Sequence, residues 1–262
     1  LNQRDLSRDD PSMRLLVAGD IDPVAVDNPG GSSPFLLLGD HAGRAIPRRL
    51  GALGLENHDL ARHIACDIGV EGLGVRLAGR LDATFVRQTY SRLVIDCNRA
   101  LGSEGSIAAV SDGTPIPGNQ NLDAAGREAR AAEIFTPYHD HIATTLDRRG
   151  GATIVISLHS FTPALSGEVR PWLYGVLHRG DSPFSNAVLA ALRARVGEGL
   201  VGDNAPYAMD GTDFTIPHHV DPRGLDYLEL EVRQDIIADP TGQDAVAESL
   251  AEVFQALVQE RQ

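Results

Sequence analysis

The stretch Ala152-Thr153-Ile154-Val155-Ile156-Ser157-Leu158-His159-Ser160 decides the fold class. It is a short apolar run rich in β-branched residues, the pattern of a strand buried on both faces. It ends on a histidine. A second run, Ser33-Pro34-Phe35-Leu36-Leu37-Leu38-Gly39-Asp40-His41, has the same form and the same ending. In an open α/β sheet, ligands bind outside the carboxyl ends of the strands. The two imidazoles of His41 and His159 are therefore placed where a site belongs.

Working outward, helical periodicity runs from about Asp59 to Arg80, with Asn57 or Asp59 as its cap. Strands follow at Ala83–Arg87 and Ser91–Asp96. Residues 101–121 are rich in Gly, Ser, Pro and Asn and read as a long loop, a length that usually carries function. A helix spans Leu122–Arg149 with an interruption near Pro137. Past His159 come a strand at Trp172–His178, a helix at Phe184–Val196, and a loop through His219. A strand then reaches Arg233, and Ala238-Asp239-Pro240 opens a last amphipathic helix to about Gln259. Strands alternating with helices predict one α/β domain over 32–262: a mostly parallel twisted sheet with helices on both faces. Residues 1–31, polar and ending in Pro and Gly, read as an irregular leader.

Composition narrows the function. A chain of 262 residues can bury one large core. Its formal charge of −13 leaves no excess of cations to neutralise phosphates, which argues against nucleic-acid and anionic-membrane partners. All 23 basic residues are arginine. With no lysine there is no Schiff-base chemistry and no P-loop. Cys66 and Cys97 lie in apolar patterns and read as buried thiols of a reducing compartment. No apolar run is long enough for a membrane span, and the first residues lack a signal peptide's core, so a cytoplasmic protein is expected.

A metal site with two histidines needs an anionic third ligand that leaves room for water. The acids that follow His41 are Glu56, Asp59 and Asp67. Asp67 interrupts the apolar stretch Ile64–Gly69, a costly place for a carboxylate without a partner, and His63 lies one helical turn before it. In Leu228-Glu229-Leu230-Glu231-Val232-Arg233, strand alternation puts Glu229, Glu231 and Arg233 on one face. A glutamate there can deprotonate a metal-activated water. Arg92, Asn98 and Arg99, from Ser91-Arg92 through Asp96-Cys97-Asn98-Arg99, offer two guanidinium forks and an amide, suited to a carboxylate. His139 is a candidate acid or oxyanion contact. His219, beside His218 in a loop that follows the extended-looking Thr215-Ile216-Pro217, is a candidate substrate contact, as is Arg233. No Gly-x-Ser-x-Gly surrounds Ser160 and no Gly-x-Gly-x-x-Gly opens a helix, which disfavours serine-hydrolase and dinucleotide chemistry.

The order Asp40-His41-Ala42-Gly43, Asp67-Ile68-Gly69, Asp96-Cys97-Asn98-Arg99, Pro137-Tyr138-His139, Leu158-His159-Ser160 and Glu231-Val232-Arg233-Gln234-Asp235 resembles the N-formylglutamate amidohydrolase family, from about Ser33 onward. That family is similar to zinc carboxypeptidases and aspartoacylase-like enzymes. The resemblance implies a zinc-exopeptidase-like hydrolase fold. It also implies zinc, or another divalent transition metal, on His41 and His159, and Glu231 as general base. Arg92, Asn98 and Arg99 would grip a substrate carboxylate. Carboxypeptidases carry His-x-x-Glu, whereas Arg44 stands three residues after His41. The acidic ligand is then expected at Asp67, with His63 as second choice. The implied substrate is a small acidic N-acyl amino acid. The alternatives are a zinc amidase acting on a peptide or cell-wall amide, and a silent ligand-binding member of the fold.

Overall fold

The protein is described by a computed structural model covering residues 14–149, 152–180 and 182–261. Its strands are β1 (Val24–Asp27), β2 (Phe35–Gly39), β3 (Thr84–Gln88), β4 (Val110–Ser111), β5 (Thr114–Pro115), β6 (Ile154–Phe161), β7 (Ala164–Leu165), β8 (Glu168–Val169), β9 (Tyr174–Leu177), β10 (Val201–Asp203) and β11 (Asp226–Arg233). Its α-helices are α1 (Asn57–Leu60), α2 (Val70–Leu81), α3 (Ala124–Arg130), α4 (Thr136–Arg149), α5 (Pro183–Val196), α6 (Thr215–His219) and α7 (Pro240–Gln259). Seven strands form one sheet in the order β1-β3-β2-β6-β11-β9-β10. The central four, β3, β2, β6 and β11, are parallel. The flanks run the other way: β1 is antiparallel to β3, and β9 to β11, with β10 parallel to β9. The expected mostly parallel α/β sheet is present, with antiparallel edges. β4 with β5 and β7 with β8 are small separate hairpins.

Strand alternation divides the core into two layers. Leu37, Phe85, Ile156, Leu158, Leu228 and Leu230 pack against Leu73 and Leu77 of α2, Val188 of α5, and Leu250 and Phe254 of α7. On the other face, Leu36, Leu38, Val86, Val155 and Tyr227 meet Tyr138, Ile142 and Leu146 of α4 and the Leu93-Val94-Ile95 segment. On this second face the apolar side chains give out toward the strand ends. β6 reads Val155, Ser157, His159, and β11 reads Tyr227, Glu229, Glu231, so polar groups are buried where the parallel strands finish.

Several local expectations are corrected. The helix predicted from Asp59 is broken: α1 stops at Leu60, residues 61–69 form turns, and α2 starts at Val70. Gly69 makes the restart possible. Its φ is +86°, and a Cβ there would lie 2.2 Å from the Ile237 carbonyl oxygen. Ser91–Asp96 is a buried turn rather than a strand; its apolar residues fill the core from a loop. Thr215–His219 is helical, not extended. Val24–Asp27, within the stretch read as a leader, forms edge strand β1, whereas residues 1–13 lie outside the described residues. Near Pro137 the helix is not cut. Pro137 cannot donate to the Glu133 carbonyl, and a π-turn over Ala131–Phe135 accommodates the missing bond. The last helix opens as predicted: Asp239 caps α7 by accepting from the Thr241 and Gly242 amides.

Candidate functional site

His41 follows the end of β2, and His159 stands near the end of β6. Asp67 comes from the turn before α2, where its own amide donates to the His41 carbonyl at 2.9 Å. All three side chains are buried. One oxygen, Asp67 Oδ2, lies 3.1 Å from His159 Nδ1 and 3.5 Å from His41 Nδ1. The three ligating atoms fall within 4.8 Å of one another.

The far side of each imidazole fixes its orientation. His41 Nε2 meets Asp96 Oδ1 at 2.7 Å. A carboxylate there only accepts, so Nε2 carries a proton and Nδ1, which faces Asp67, is the atom that takes either a second proton or a cation. That Nδ1 is buried with no hydrogen-bond partner. His159 Nε2 lies 3.0 Å from Ser157 Oγ and 3.6 Å from Asp40 Oδ2. Asp40 is itself held through Oδ1 by the Tyr138 hydroxyl at 2.8 Å and the Thr215 hydroxyl at 3.0 Å. A histidine backed by a carboxylate is the usual outer support of a zinc ligand. In a tetrahedral zinc site the ligand atoms sit about 3.3 Å apart, which the two observed separations bracket. An orphaned imidazole nitrogen, a second imidazole and a carboxylate oxygen thus fit a zinc-type cation.

The charges on these groups follow from their neighbours. Burial opposes ionisation of Asp67, but His41, His159 and Arg92 hold its carboxyl well below the usual range. Burial likewise disfavours the charge on Asp96, yet Arg92 and His41 keep it ionised. Burial works against the His159 cation, and the Asp67 carboxylate overrides it, pushing the pKa up to about 10.

A cavity of about 320 Å³ opens beside this cluster. Among its walls are His63, Arg92, Asn98, Arg99, Asp213, Glu229 and Glu231. Glu231 pairs in register with His159, and burial pushes its pKa up to about 7 against the pull of that imidazole. Glu229, one alternation deeper, is pushed by burial up to about 8. The Oε2 atom of each is buried without a partner. Arg92 lies over the cluster, with Nε and Nη2 on Asp96 at 3.0 and 2.6 Å and Nη1 on Asp67 at 3.3 Å. Arg99 Nη1 donates to the Asn98 carbonyl at 2.8 Å and to Asp213 at 3.2 Å. Asn98 accepts through its side-chain oxygen from the Phe214 and Thr215 amides, and its Nδ2 donates one hydrogen to Asp213 at 3.3 Å. It shapes the wall.

Other expected members lie elsewhere. His63 lines the cavity but points to Asp112 at 3.6 Å, because the turn after α1 takes it off the face of Asp67. His139 and His219 form a buried pair behind the wall. His139 Nε2 donates to the Cys97 carbonyl at 2.9 Å, so its Nδ1 accepts from His219 Nε2, also at 2.9 Å. Burial pulls their pKa values down to about 4 and about 3, which keeps both neutral. Arg233 ends β11 and forks onto Asp235 at 2.8 and 3.2 Å, outside the cavity. Three groups were given no role in the sequence reading of the site: Asp40, Asp96 and Asp213. An acid directly before His41 and another inside Leu93–Cys97 were the available signals for the first two.

A larger, open cleft of about 1310 Å³ lies at the opposite ends of β6 and β11. Two of its arginines, Arg179 and Arg261, pair with Asp221 and Asp226. Among the described residues no helix is long and apolar enough to cross a membrane.

A model of the N-formylglutamate amidohydrolase family matches residues 33–238, a span that holds the whole cluster and its cavity. The chain belongs to the N-formylglutamate amidohydrolase family. Within that fold it is similar to gene product Atu2144 from Agrobacterium tumefaciens, at 35% identity over 95% of this chain and 100% of that one, with a TM-score of 0.90. It also shares the fold of N-formylglutamate amidohydrolase from Ralstonia eutropha JMP134, at 18% identity over 92% of this chain and 98% of that one, with a TM-score of 0.73. Among curated proteins nothing matches.

Proposed function

We propose that this N-formylglutamate amidohydrolase family member hydrolyses the amide of a small N-acyl amino acid, with formyl as the acyl group, and that it does so with a divalent cation held by His41, Asp67 and His159. The supporting observation is the convergence of the orphaned His41 Nδ1, His159 Nδ1 and Asp67 Oδ2 beside a cavity where Glu231 presents an unpartnered carboxyl oxygen. When bound, such a cation polarises the acyl carbonyl and lowers the pKa of water.

The residues then divide the work. Glu231 faces His159 across the strand pair, and its pKa of about 7 matches a base that works near neutrality. It takes a proton as the water oxygen bonds to the acyl carbon. It returns that proton to the nitrogen as the C–N bond breaks. The products are the acid of the acyl group and the free amino acid. Arg99, with Arg92 beside it, offers the cationic wall for the substrate α-carboxylate, which fixes the amide for attack.

The test is hydrolysis of N-formyl-L-glutamate and related N-formyl amino acids, followed by release of formate, in zinc-loaded and chelator-treated protein. Glu231→Gln is expected to keep its zinc and lose about 10²–10⁴-fold in kcat. A variant with wild-type turnover removes Glu231 from the reaction.

A further inference from the structure

An acidic N-acyl amino acid carries two carboxylates. Arg92 and Arg99 form the wall offered to the α-carboxylate, and each already bears acids of the protein: Asp96 and Asp67 on Arg92, Asp213 on Arg99. The same cavity holds Glu229 and Glu231. A second substrate carboxylate therefore needs a cation from another part of the wall.

Phe161, Thr162 and Tyr207 line such a part. Arg170 stands behind them. Its Nη1 donates to Thr162 Oγ1 at 3.2 Å and to the Tyr207 hydroxyl at 3.0 Å. Its guanidinium carbon lies 4.8 Å from the centroid of the Tyr207 ring and 5.9 Å from that of Phe161, both within cation–π range. The backbone fixes this placement. β7 and β8 form a hairpin, and the Arg170 amide closes it by donating to the Pro163 carbonyl at 2.9 Å, just past the end of β6. Among the described residues no ion pair includes Arg170; its side chain is held by neutral groups.

The two hydroxyls are also unspent. Each accepts from Arg170 and so keeps its own O–H to donate, and neither donates to an acceptor among the described residues. Partial burial raises the pKa of the Tyr207 phenol, the Arg170 hydrogen bond lowers it, and the carboxylates of Glu231 and Asp67 raise it further. The hydroxyl therefore stands within electrostatic reach of the groups that do the chemistry. A guanidinium without an acid thus backs two hydroxyl donors in a cavity otherwise rich in carboxylates.

We infer that Arg170, acting with the Thr162 and Tyr207 hydroxyls, receives the side-chain carboxylate of the substrate and sets the preference for an acidic over a neutral N-acyl amino acid. The inference rests on the amidohydrolase reading above and deepens it, because it gives the second carboxylate to residues which that reading leaves out. The hydroxyls donate to the carboxylate oxygens, and the guanidinium supplies the opposite charge beside them. A site built around such donors discriminates against an analogue that cannot accept from them.

The experiment compares kcat/KM for N-formyl-L-glutamate, N-formyl-L-glutamine and N-formyl-L-norvaline with zinc-loaded enzyme. Norvaline has the same chain length without a polar end and serves as the internal reference in every variant. In the wild type the glutamate substrate is expected to exceed the glutamine substrate by about tenfold or more, the scale of one charge-assisted hydrogen bond. In Arg170→Met the glutamate-to-norvaline ratio falls about tenfold or more, and Arg170→Lys, which keeps a cation, retains more of that ratio. Tyr207→Phe, a change at an exposed side chain, lowers the same ratio with the fold undisturbed. A ratio unmoved in Arg170→Met and Tyr207→Phe, including a parallel loss on all three substrates, overturns the inference and leaves the hydrolase reading standing. So does a wild type that prefers glutamine. Absence of hydrolysis of all three substrates by the wild type overturns both.

Discussion

Replacing Asp96 by asparagine separates the support of the cluster from the cluster itself. Asp96 is not among the residues lining the cavity beside the cluster; it works through His41 and Arg92. Its Oδ1 accepts from His41 Nε2 at 2.7 Å and from the Asn98 amide at 2.9 Å, and its Oδ2 accepts from both forks of Arg92. Asparagine keeps one oxygen for these demands. Arg92 needs that oxygen, because a guanidinium only donates. The new Nδ2 then faces His41 Nε2 and forces the imidazole proton onto Nδ1, the atom that faces the cluster. Loss of such outer support typically weakens metal binding 10–100-fold, about 1.4–2.7 kcal/mol, and the tautomer change puts Asp96→Asn at the upper end. Arg92 retains Asp67 at 3.3 Å, so the folding cost stays near 2 kcal/mol, below the usual range for a broken buried pair. Competition titration with a chromophoric chelator measures the zinc Kd, and urea unfolding of the metal-free protein measures the second effect. A zinc Kd within twofold of wild type, in a variant with wild-type circular dichroism, refutes the assigned role.

Zinc at 100 times its Kd should add about 2.7 kcal/mol of stability, which is about 5–10 °C in Tm for a chain of this size; His159→Ala should abolish the shift in a thermal melt. Gly69→Ala should cost about 2 kcal/mol or more in urea unfolding, since its φ of +86° is unfavourable for alanine and the new Cβ meets the Ile237 carbonyl. The His139 ring predicts acid sensitivity. Its folded pKa of about 4 lies below the unfolded 6.5, so the unfolded chain binds the extra proton. The stability it contributes is present above pH 6.5 and falls by about 2–3 kcal/mol by pH 4.5. Urea midpoints at pH 7 and pH 4.5 should therefore converge partly in His139→Gln.

The parallel strands and their histidines were legible because strand burial and strand ending are both local signals. Ile154–Phe161 is apolar throughout and stops on polar groups, so periodicity alone reports where His159 stands. The position of Asp67 was legible for a different reason: a charge inside an apolar stretch needs a partner. Its backbone was not, because Gly69 breaks a helix whose apolar spacing continues across the break. Leu93-Val94-Ile95 misled in the same way. A buried turn and a buried strand present identical composition, and only the tertiary layer under α4 tells them apart. His139 and His219 are separated by 80 residues, and their mutual hydrogen bond depends on how α4 and α6 pack. No spacing rule in one chain reports that. Glu229 was visible on the face of Glu231, but its want of a partner is a property of the finished cavity.

The cluster also explains why its carboxylates are so numerous in a buried place. Without a cation, Asp67 faces two imidazoles, and its carboxylate favours the protonated form of His159. That proton and a divalent cation compete for one lone pair. Asp96 and Asp40 stand behind the two rings, on the opposite nitrogens, so they favour positive charge on the rings in either case. The charge of these two acids acts on a divalent cation and on the competing proton alike, more strongly on the first. Each also sets geometry, because it fixes which nitrogen turns inward. Tyr138 and Thr215 fix Asp40, and Arg92 and the Asn98 amide fix Asp96, so the inward nitrogens are aimed before anything binds. In the proposed cation site, rings held in this way would not have to reorganise on binding, so Asp40, Asp96 and their partners are expected to set much of its affinity.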